Sequence, residues 1–124
     1  MSTKRILIID DEEPIREIVQ ACLEDLGGWE VVSAESAKEG LLKAQTAQPD
    51  AILLDVSMPE MDGVALFEQL QKIPAVQAIP VVLLTARVLH IDRTRFEPLG
   101  IAGLISKPFN PVTLCEQIAQ VLGW

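Results

Sequence analysis

Five short apolar runs, rich in leucine, isoleucine and valine, predict the strands of this chain. They cover residues 5–9, 30–34, 51–54 and 80–84, with a weaker fifth run at 101–106. The first, third and fourth runs are apolar almost throughout instead of alternating, which is typical of strands covered on both faces. The pattern therefore predicts a parallel sheet with helices on both sides.

Between these runs the apolar positions change to a helical period. The period is clearest over residues 15–26, and the pair Gly27 and Gly28 is expected to stop that helix. A second helix is predicted to begin at Ser36, which forms a capping box with Glu39 three positions later.

The remaining segments complete a β-α order repeated five times. Helices are predicted over about 64–73 and from Pro111 to Leu122, and a short one lies within 87–99. The fold class is therefore α/β, a doubly wound five-stranded parallel sheet of order 2-1-3-4-5 with five helices on two faces, as in flavodoxin-like folds.

Length and charge narrow the class of protein. The chain has 124 residues, which suits a single domain over 1–124, and 49% of them are hydrophobic. A net charge of −8 argues against direct binding to nucleic acid or to an anionic membrane. The chain has no apolar run long enough for a membrane span or a secretion signal. We therefore expect a cytoplasmic location. Cys22 and Cys115 are predicted to be buried thiols.

Polar residues follow the ends of four predicted strands. Asp10 and Asp11 follow the first strand, Asp55 the third, Thr85 the fourth and Lys107 the fifth. Ligands of doubly wound sheets bind beyond these carboxyl ends. Three carboxylates gathered there would repel one another unless a cation sits among them, and oxygen ligands of this kind suit Mg²⁺.

Such a metal would change the reactivity of Asp55. Mg²⁺ between Asp55 and an incoming phosphoryl group lowers the charge repulsion, so in-line attack on phosphorus becomes feasible. Lys107 would then pair with one phosphoryl oxygen and Thr85 would hydrogen-bond another. The expected product is an aspartyl phosphate.

Each of these residues also has a structural explanation. Asp11, or the two acids after it, could cap the first helix, and Asp55 could start a turn. Thr85 could cap the following helix, and Lys107 could be a solvated surface lysine. These separate explanations do not account well for the presence of all these residues at one edge of the sheet.

The same residues resemble those of a known family. The acidic pair after an apolar strand, the segment from Leu53 to Gly63 around Asp55, the Thr85-Ala86 step and the segment Lys107-Pro108-Phe109 are similar to receiver domains of two-component response regulators, above all the stand-alone, chemotaxis-regulator type. The resemblance covers the whole chain and identifies it as a single receiver domain over 1–124.

The resemblance implies a role for each matching residue. Asp55 is the phosphoacceptor, Asp10 and Asp11 hold Mg²⁺ with Asp55, and Ser57 adds its backbone carbonyl; Mn²⁺ is the alternative ion. A histidine kinase or a phosphotransfer protein donates the phosphoryl group. The output is contact with an unidentified downstream protein or a phosphorylation-dependent dimer. In this family the domain catalyses only its own phosphorylation and dephosphorylation.

Two positions near the site modify this expectation. Receivers usually signal through an aromatic residue on the fifth strand, and here that position is Leu104, in a chain without tyrosine. We therefore expect phosphorylation to survive and the conformational response to be weaker or rerouted. Arg87, two positions after Thr85, is expected to border the path of the hydrolytic water and to slow dephosphorylation.

Two other functions remain as alternatives. The Leu104 departure favours a phosphorylation-independent pseudo-receiver that binds partners constitutively. A Mg²⁺-dependent phosphohydrolase of small metabolites would also use Asp55 as nucleophile. Such enzymes of the haloacid-dehalogenase type need a general acid two positions later, where this chain has Ser57, and a serine transfers that proton poorly.

Overall fold

The computed structural model describes residues 4–55, 63–85, 101–106 and 110–124 of the chain. Within these ranges strands and helices alternate in the order β1 (Arg5–Ile9), α1 (Glu13–Asp25), β2 (Glu30–Ala34), α2 (Ala37–Ala47), β3 (Ala51–Asp55), α3 (Gly63–Gln71), β4 (Val81–Thr85), β5 (Gly103–Ser106) and α4 (Pro111–Leu122). The short helix predicted within 87–99, the fourth in chain order, lies outside the described residues.

The five strands form one parallel sheet in the order β2-β1-β3-β4-β5. This confirms the predicted order 2-1-3-4-5 and the doubly wound α/β class. Since all strands run the same way, their carboxyl ends lie at one edge of the sheet, and the order reverses beside β1.

Both faces of the sheet are buried, as the unbroken apolar runs predicted. Alternate residues of β1 point to opposite sides: Leu7 and Ile9 pack with α2 and α3, whereas Ile6 and Ile8 pack with α1 and α4. On the α1 and α4 side, Cys115 is buried as predicted. Cys22 is only half-buried, so the prediction of a buried thiol is wrong for this residue.

Helix ends follow the predicted signals with some differences. Ser36 caps α2 by accepting a hydrogen bond from the Glu39 backbone N–H at 3.1 Å. Gly28 has a positive φ of 67° just after α1, which is the left-handed backbone that glycine adopts without strain. The predicted helix over 64–73 ends at Gln71 because the chain tightens there: Ile73 N–H donates to the Leu70 carbonyl three positions earlier.

Strand boundaries shift by one or two residues from the prediction. β4 begins after Pro80, which has no backbone N–H to donate to the ladder, and it extends to Thr85 through pairing with Ser106. β5 begins at Gly103, two residues later than predicted. In the described part of the chain, no helix has both the length and the apolar character needed to cross a membrane.

Candidate functional site

The strand register aligns the predicted site residues along the carboxyl edge. Ile9 pairs with Leu54, so the next residue of each strand, Asp10 and Asp55, lies at the same level. Thr85, the last residue of β4, pairs with Ser106 at the end of β5. Asp55 pairs with Leu84, so Thr85 lies one residue further along the sheet edge than Asp55. The ends of these four adjacent strands therefore lie close together, but not all at the same level.

Three carboxylates meet at this edge. One carboxylate oxygen from each of Asp10, Asp11 and Asp55 can be chosen so that all three lie within 4.8 Å of one another. Asp10 is 0% exposed and Asp55 is 2% exposed, whereas Asp11 is exposed to solvent. The cluster thus has two carboxylates inside the protein and one that faces water.

Local hydrogen bonds explain how Asp10 is held. Its backbone N–H donates to the Ala34 carbonyl at 3.1 Å, which extends the contact of β1 with β2 by one residue. Its carboxylate accepts a hydrogen bond from the Glu12 N–H at 2.9 Å, the short-range pattern by which aspartate forms turns. The turn leads directly into α1, so a single side chain both closes the loop and contributes to the cluster.

This arrangement bears on the structural explanation of the acids. Glu12 is the N-cap residue of α1, and its side chain makes no capping hydrogen bond. Glu13 lies in the first turn, where a negative charge complements the helix dipole. Asp11 is left exposed beside two buried carboxylates, a position that helix capping does not explain.

Arg16 is a residue near the site that the sequence analysis missed. Its guanidinium Nη1 donates to the backbone carbonyl of Asp10 at 2.8 Å, and its Nη2 lies 3.8 Å from a carboxylate oxygen of Glu35. The position of Arg16 could have been inferred from the direction of helical side chains, which point toward the helix N-terminus. A long side chain at the fourth position of α1 therefore reaches back over the loop that carries the acids.

The donor set fits a small divalent cation. Carboxylate oxygens are hard ligands of the kind that Mg²⁺ prefers, and Mg²⁺ uses only one or two protein carboxylates together with water and phosphate. Three acids this close also create a strongly negative potential, which a cation relieves. The geometry is thus compatible with the predicted metal.

The structure describes only some of the remaining predicted site residues. Ser57, Arg87 and Lys107 lie outside the described residues, and for Thr85 only the backbone position is described. Leu104 lies on β5, pairs with Leu83, and packs half-buried against the side of the sheet that α2 and α3 cover.

Comparison with known proteins assigns the family. The family model described as "Response regulator receiver domain" matches residues 6–119. The chain belongs to this family. The matched segment includes all three carboxylates and the fourth-strand threonine, so the resemblance stated from the motifs is confirmed.

The receiver is similar to curated regulators and to solved structures. It is 35% identical over 119 residues to the alkaline phosphatase synthesis transcriptional regulatory protein PhoP of Bacillus subtilis, covering 96% of this chain and 48% of that protein. It is 39% identical over 117 residues to the response regulator Rre1 of Synechocystis, covering 94% and 51%. The chain therefore spans about half the length of these relatives.

Among solved structures, the receiver resembles chemotaxis protein CheY4 of Vibrio cholerae. The TM-score is 0.89 with 32% identity, over 97% of this chain and 99% of that one. A response regulator from Desulfuromonas acetoxidans has a TM-score of 0.85 with 28% identity, over 97% of each chain. This chain therefore shares its overall fold with these two solved structures.

Proposed function

We propose that this receiver is a phosphorylation-controlled switch in which Asp55 accepts a phosphoryl group. The observation that carries the proposal is the cluster of Asp10, Asp11 and Asp55 at the carboxyl edge of the sheet, with an oxygen of each within 4.8 Å of the others. Membership of the receiver family supports the same role. The proposed phosphodonor is a phosphohistidine on a histidine kinase or a phosphotransfer protein.

Asp10, Asp11 and Asp55 would hold Mg²⁺, with the Ser57 backbone carbonyl as a further ligand and Mn²⁺ as an alternative ion. When bound, the ion would offset the charge repulsion between the carboxylates and the incoming phosphoryl group. The fixed position of Asp10, which is buried and bonded to the Glu12 N–H, supports its role as a preorganised ligand.

In the proposed transfer a carboxylate oxygen of Asp55 attacks phosphorus. An O–P bond forms, the N–P bond to the donor histidine breaks, and the imidazole leaves. Thr85 would donate a hydrogen bond to one phosphoryl oxygen and Lys107 would pair with another. Hydrolysis by water then returns Asp55 to its free form, so the domain catalyses only its own phosphorylation and dephosphorylation.

The output is proposed to be a change in protein binding. The partner is either an unidentified downstream protein or a second copy of the receiver in a phosphorylation-dependent dimer. The curated relatives are about twice as long as the matched segment, so their complete activities are not assigned to this chain. The net charge of −8 supports the prediction that the chain binds neither nucleic acid nor a membrane directly. The single domain over 1–124 and the cytoplasmic location stay predictions.

A second candidate function is a receiver that binds its partners constitutively. The observation that favours it is Leu104, which occupies the fifth-strand position where receivers usually carry the aromatic residue of the switch. A leucine at this position has no chemical role in phosphoryl transfer. The two candidates therefore differ in whether phosphorylation changes partner binding, and they share the same fold and acid cluster.

The test is intact mass after incubation with acetyl phosphate, with and without Mg²⁺, in an acidic quench that preserves acyl phosphates. We expect one phosphoryl adduct on the wild type that requires Mg²⁺ and is absent from Asp55→Asn. An adduct of equal yield on Asp55→Asn would contradict the assignment. Absence of any adduct, with Mg²⁺ shown to bind and with a phosphohistidine donor also inactive, would favour the constitutive module.

Arg87 is proposed to slow loss of the phosphoryl group. Its support is its position two residues after Thr85, because a guanidinium there can pair with a phosphoryl oxygen. We expect Arg87→Ala to shorten the lifetime of the phosphorylated form, measured by the decay of the adduct after the donor is removed. An unchanged lifetime would remove this role.

A further inference from the structure

Arg16 makes the contact that links α1 to the acidic loop. Its Nη1 donates to the Asp10 carbonyl at 2.8 Å, while the Asp10 carboxylate accepts from the Glu12 N–H at 2.9 Å. Asp10, one of the two buried acids of the cluster, is thus held at its side chain by the turn and at its carbonyl by the guanidinium. The Arg16 side chain is only 15% exposed.

Helix stability does not explain this placement. A cation near a helix N-terminus opposes the helix dipole, since that end carries a partial positive charge. Burying most of a guanidinium also removes it from water at a cost. The group must therefore be held there by contacts that favour it, and the structure gives two.

Of these two contacts, the one to Asp10 is the stronger. Glu35 lies 3.8 Å from the guanidinium, beyond hydrogen-bond distance, and is 69% exposed. Exposed ion pairs of this kind contribute little. The carbonyl of Asp10 accepts a short hydrogen bond from a charged donor, which is among the strong types.

From this geometry we infer that Arg16 is a positioning residue that sets the affinity of the acid cluster for its divalent cation. It does so by fixing the peptide that follows Asp10 and hence the direction in which Asp10 and Asp11 present their oxygens. The inference rests on the proposed function, because it takes the cluster to be a Mg²⁺ site. It adds a residue that does not itself touch the ion.

Two effects of Arg16 oppose each other. Its positive charge repels a cation, so charge alone predicts that loss of Arg16 tightens Mg²⁺ binding. Its hydrogen bond orders the loop, so positioning predicts that loss of Arg16 weakens binding. Positioning is the larger effect because the hydrogen bond is made directly to the backbone of a ligand residue.

The experiment compares Mg²⁺ dissociation constants by isothermal titration calorimetry for the wild type, Arg16→Met and Arg16→Lys. Methionine keeps part of the apolar stem and removes the charge and the donors. Lysine keeps the charge and one donor group without the planar fork. Residues that orient metal ligands typically change affinity by about 10- to 100-fold, so we expect Arg16→Met to bind at least about 10-fold more weakly and Arg16→Lys to lie between.

The chain offers a matched control at the opposite edge of the sheet. Arg5 also donates to a backbone carbonyl, that of Ala47 at 2.6 Å, and also pairs with a glutamate, Glu30 at 3.2 Å. Arg5→Met therefore removes the same kind of contacts far from the acid cluster. We expect it to lower thermal stability and leave Mg²⁺ affinity unchanged, which separates positioning from general destabilisation.

A second control removes the weaker partner of Arg16. Glu35→Gln abolishes the ion pair and leaves the bond to Asp10 in place, so we expect Mg²⁺ affinity within about 2-fold of the wild type. The Mg²⁺ dependence of phosphorylation by acetyl phosphate gives an independent readout. Arg16→Met should need at least about 10-fold more Mg²⁺ for half-maximal rate and reach a similar plateau.

Each remaining outcome overturns the inference. Equal Mg²⁺ affinity in Arg16→Met and the wild type excludes positioning, and tighter binding in Arg16→Met shows that charge repulsion governs the site. A loss of affinity in Arg5→Met as large as in Arg16→Met assigns the effect to stability. Failure of the wild type itself to bind Mg²⁺ contradicts the proposed function, and with it this role of Arg16.

Discussion

The three carboxylates of the cluster differ in their surroundings, and this difference separates their roles. Asp10 is buried and bonded to the turn that starts α1, so its orientation is fixed by the fold. Asp55 is equally buried at the end of a central strand. Asp11 is exposed, so in the proposed Mg²⁺ site it is the acid that a hydrated ion from solvent would meet first.

A second residue-scale feature is the thiol of Cys115. It lies in the packing between α1 and α4 and donates to the Cys22 carbonyl at 3.2 Å. Burial is the main cause that raises the pKa of Cys115 above the ordinary value for a thiol, with smaller effects from Cys22 and Glu116. The protonated thiol is therefore the form that the folded state favours.

This pKa shift predicts a pH dependence of stability. In the unfolded chain the Cys115 thiol ionises at the ordinary thiol pKa, whereas the folded state keeps it protonated to higher pH. Its contribution to stability is thus fully present below that ordinary pKa and is lost as pH rises through the folded pKa. Between pH about 8 and about 10, the free energy of unfolding should fall more for the wild type than for Cys115→Ala.

Denaturant unfolding at several pH values measures this difference, with Cys22→Ala as the control. That variant keeps the burial of Cys115, the largest cause of the shift, so it should retain most of the pH dependence. Parallel pH profiles for the wild type and Cys115→Ala would show that the thiol does not act in this way.

The acids of the cluster could be predicted from the sequence, but the contacts that hold them could not. The acids could be predicted because they directly follow apolar runs that read as strands. The direction of helical side chains indicates that Arg16 reaches back toward the loop. It does not identify the Asp10 carbonyl as the acceptor, because a backbone carbonyl has no signature in the sequence. The half-buried state of Cys22 also depends on helix packing that the helical period does not specify.

At the scale of elements, α2 shows how packing overrides helix propensity. Gly40 lies in the middle of this helix, where alanine would be favoured by about 1 kcal/mol. A Cβ at Gly40 would lie 2.5 Å from Ile9 Cδ1 and 2.9 Å from Ile9 Cγ1. Ile9 is buried in the core of β1, so it has little room to move.

Gly40→Ala is therefore expected to destabilise the protein. The overlap with Ile9 outweighs the gain in propensity, and overpacking of a core typically costs about 1–3 kcal/mol. Chemical denaturation measures the effect, with Gln45→Ala on the exposed side of the same helix as a control that should change stability by less than about 0.5 kcal/mol. Stabilisation by Gly40→Ala would show that α2 can move away from β1 at no cost.

The boundaries of helices and strands could be predicted where a side chain marks them. They could not be predicted where backbone pairing between distant strands determines them. The start of α4 at Pro111 follows from its sequence signals, and Asn110 caps it through a bond from the Val112 N–H at 2.9 Å. The end of β4 at Thr85 depends on pairing with Ser106, a residue distant in sequence. Local patterns do not contain that information.

For the whole molecule, the strand order of the sheet could be predicted, but the protein that the receiver contacts could not. Central strands that are apolar on both faces require helices on both sides, and right-handed crossovers restrict the order to few choices. The net charge of −8 makes the surface acidic, but it does not identify a binding partner. The chain spans about half the length of its curated relatives, so their complete activities do not transfer to it.

Metal binding at the cluster predicts a change in global stability. A ligand that binds only the folded state stabilises it by about 2.7 kcal/mol at one hundred times its dissociation constant. Mg²⁺ should therefore raise the unfolding midpoint of the wild type and have a much smaller effect on Asp11→Asn. Thermal unfolding at constant ionic strength measures this, and equal shifts for the two proteins would place the ion elsewhere.

The most direct test of the central claim is chemical mapping of the phosphorylated residue. The receiver is phosphorylated with acetyl phosphate or phosphoramidate in the presence of Mg²⁺, and borohydride then reduces the acyl phosphate to homoserine, which peptide mass spectrometry locates. We expect homoserine in place of Asp55 and at no other acid. Homoserine in place of Asp10 or Asp11, or phosphate on a residue other than an aspartate, would contradict it.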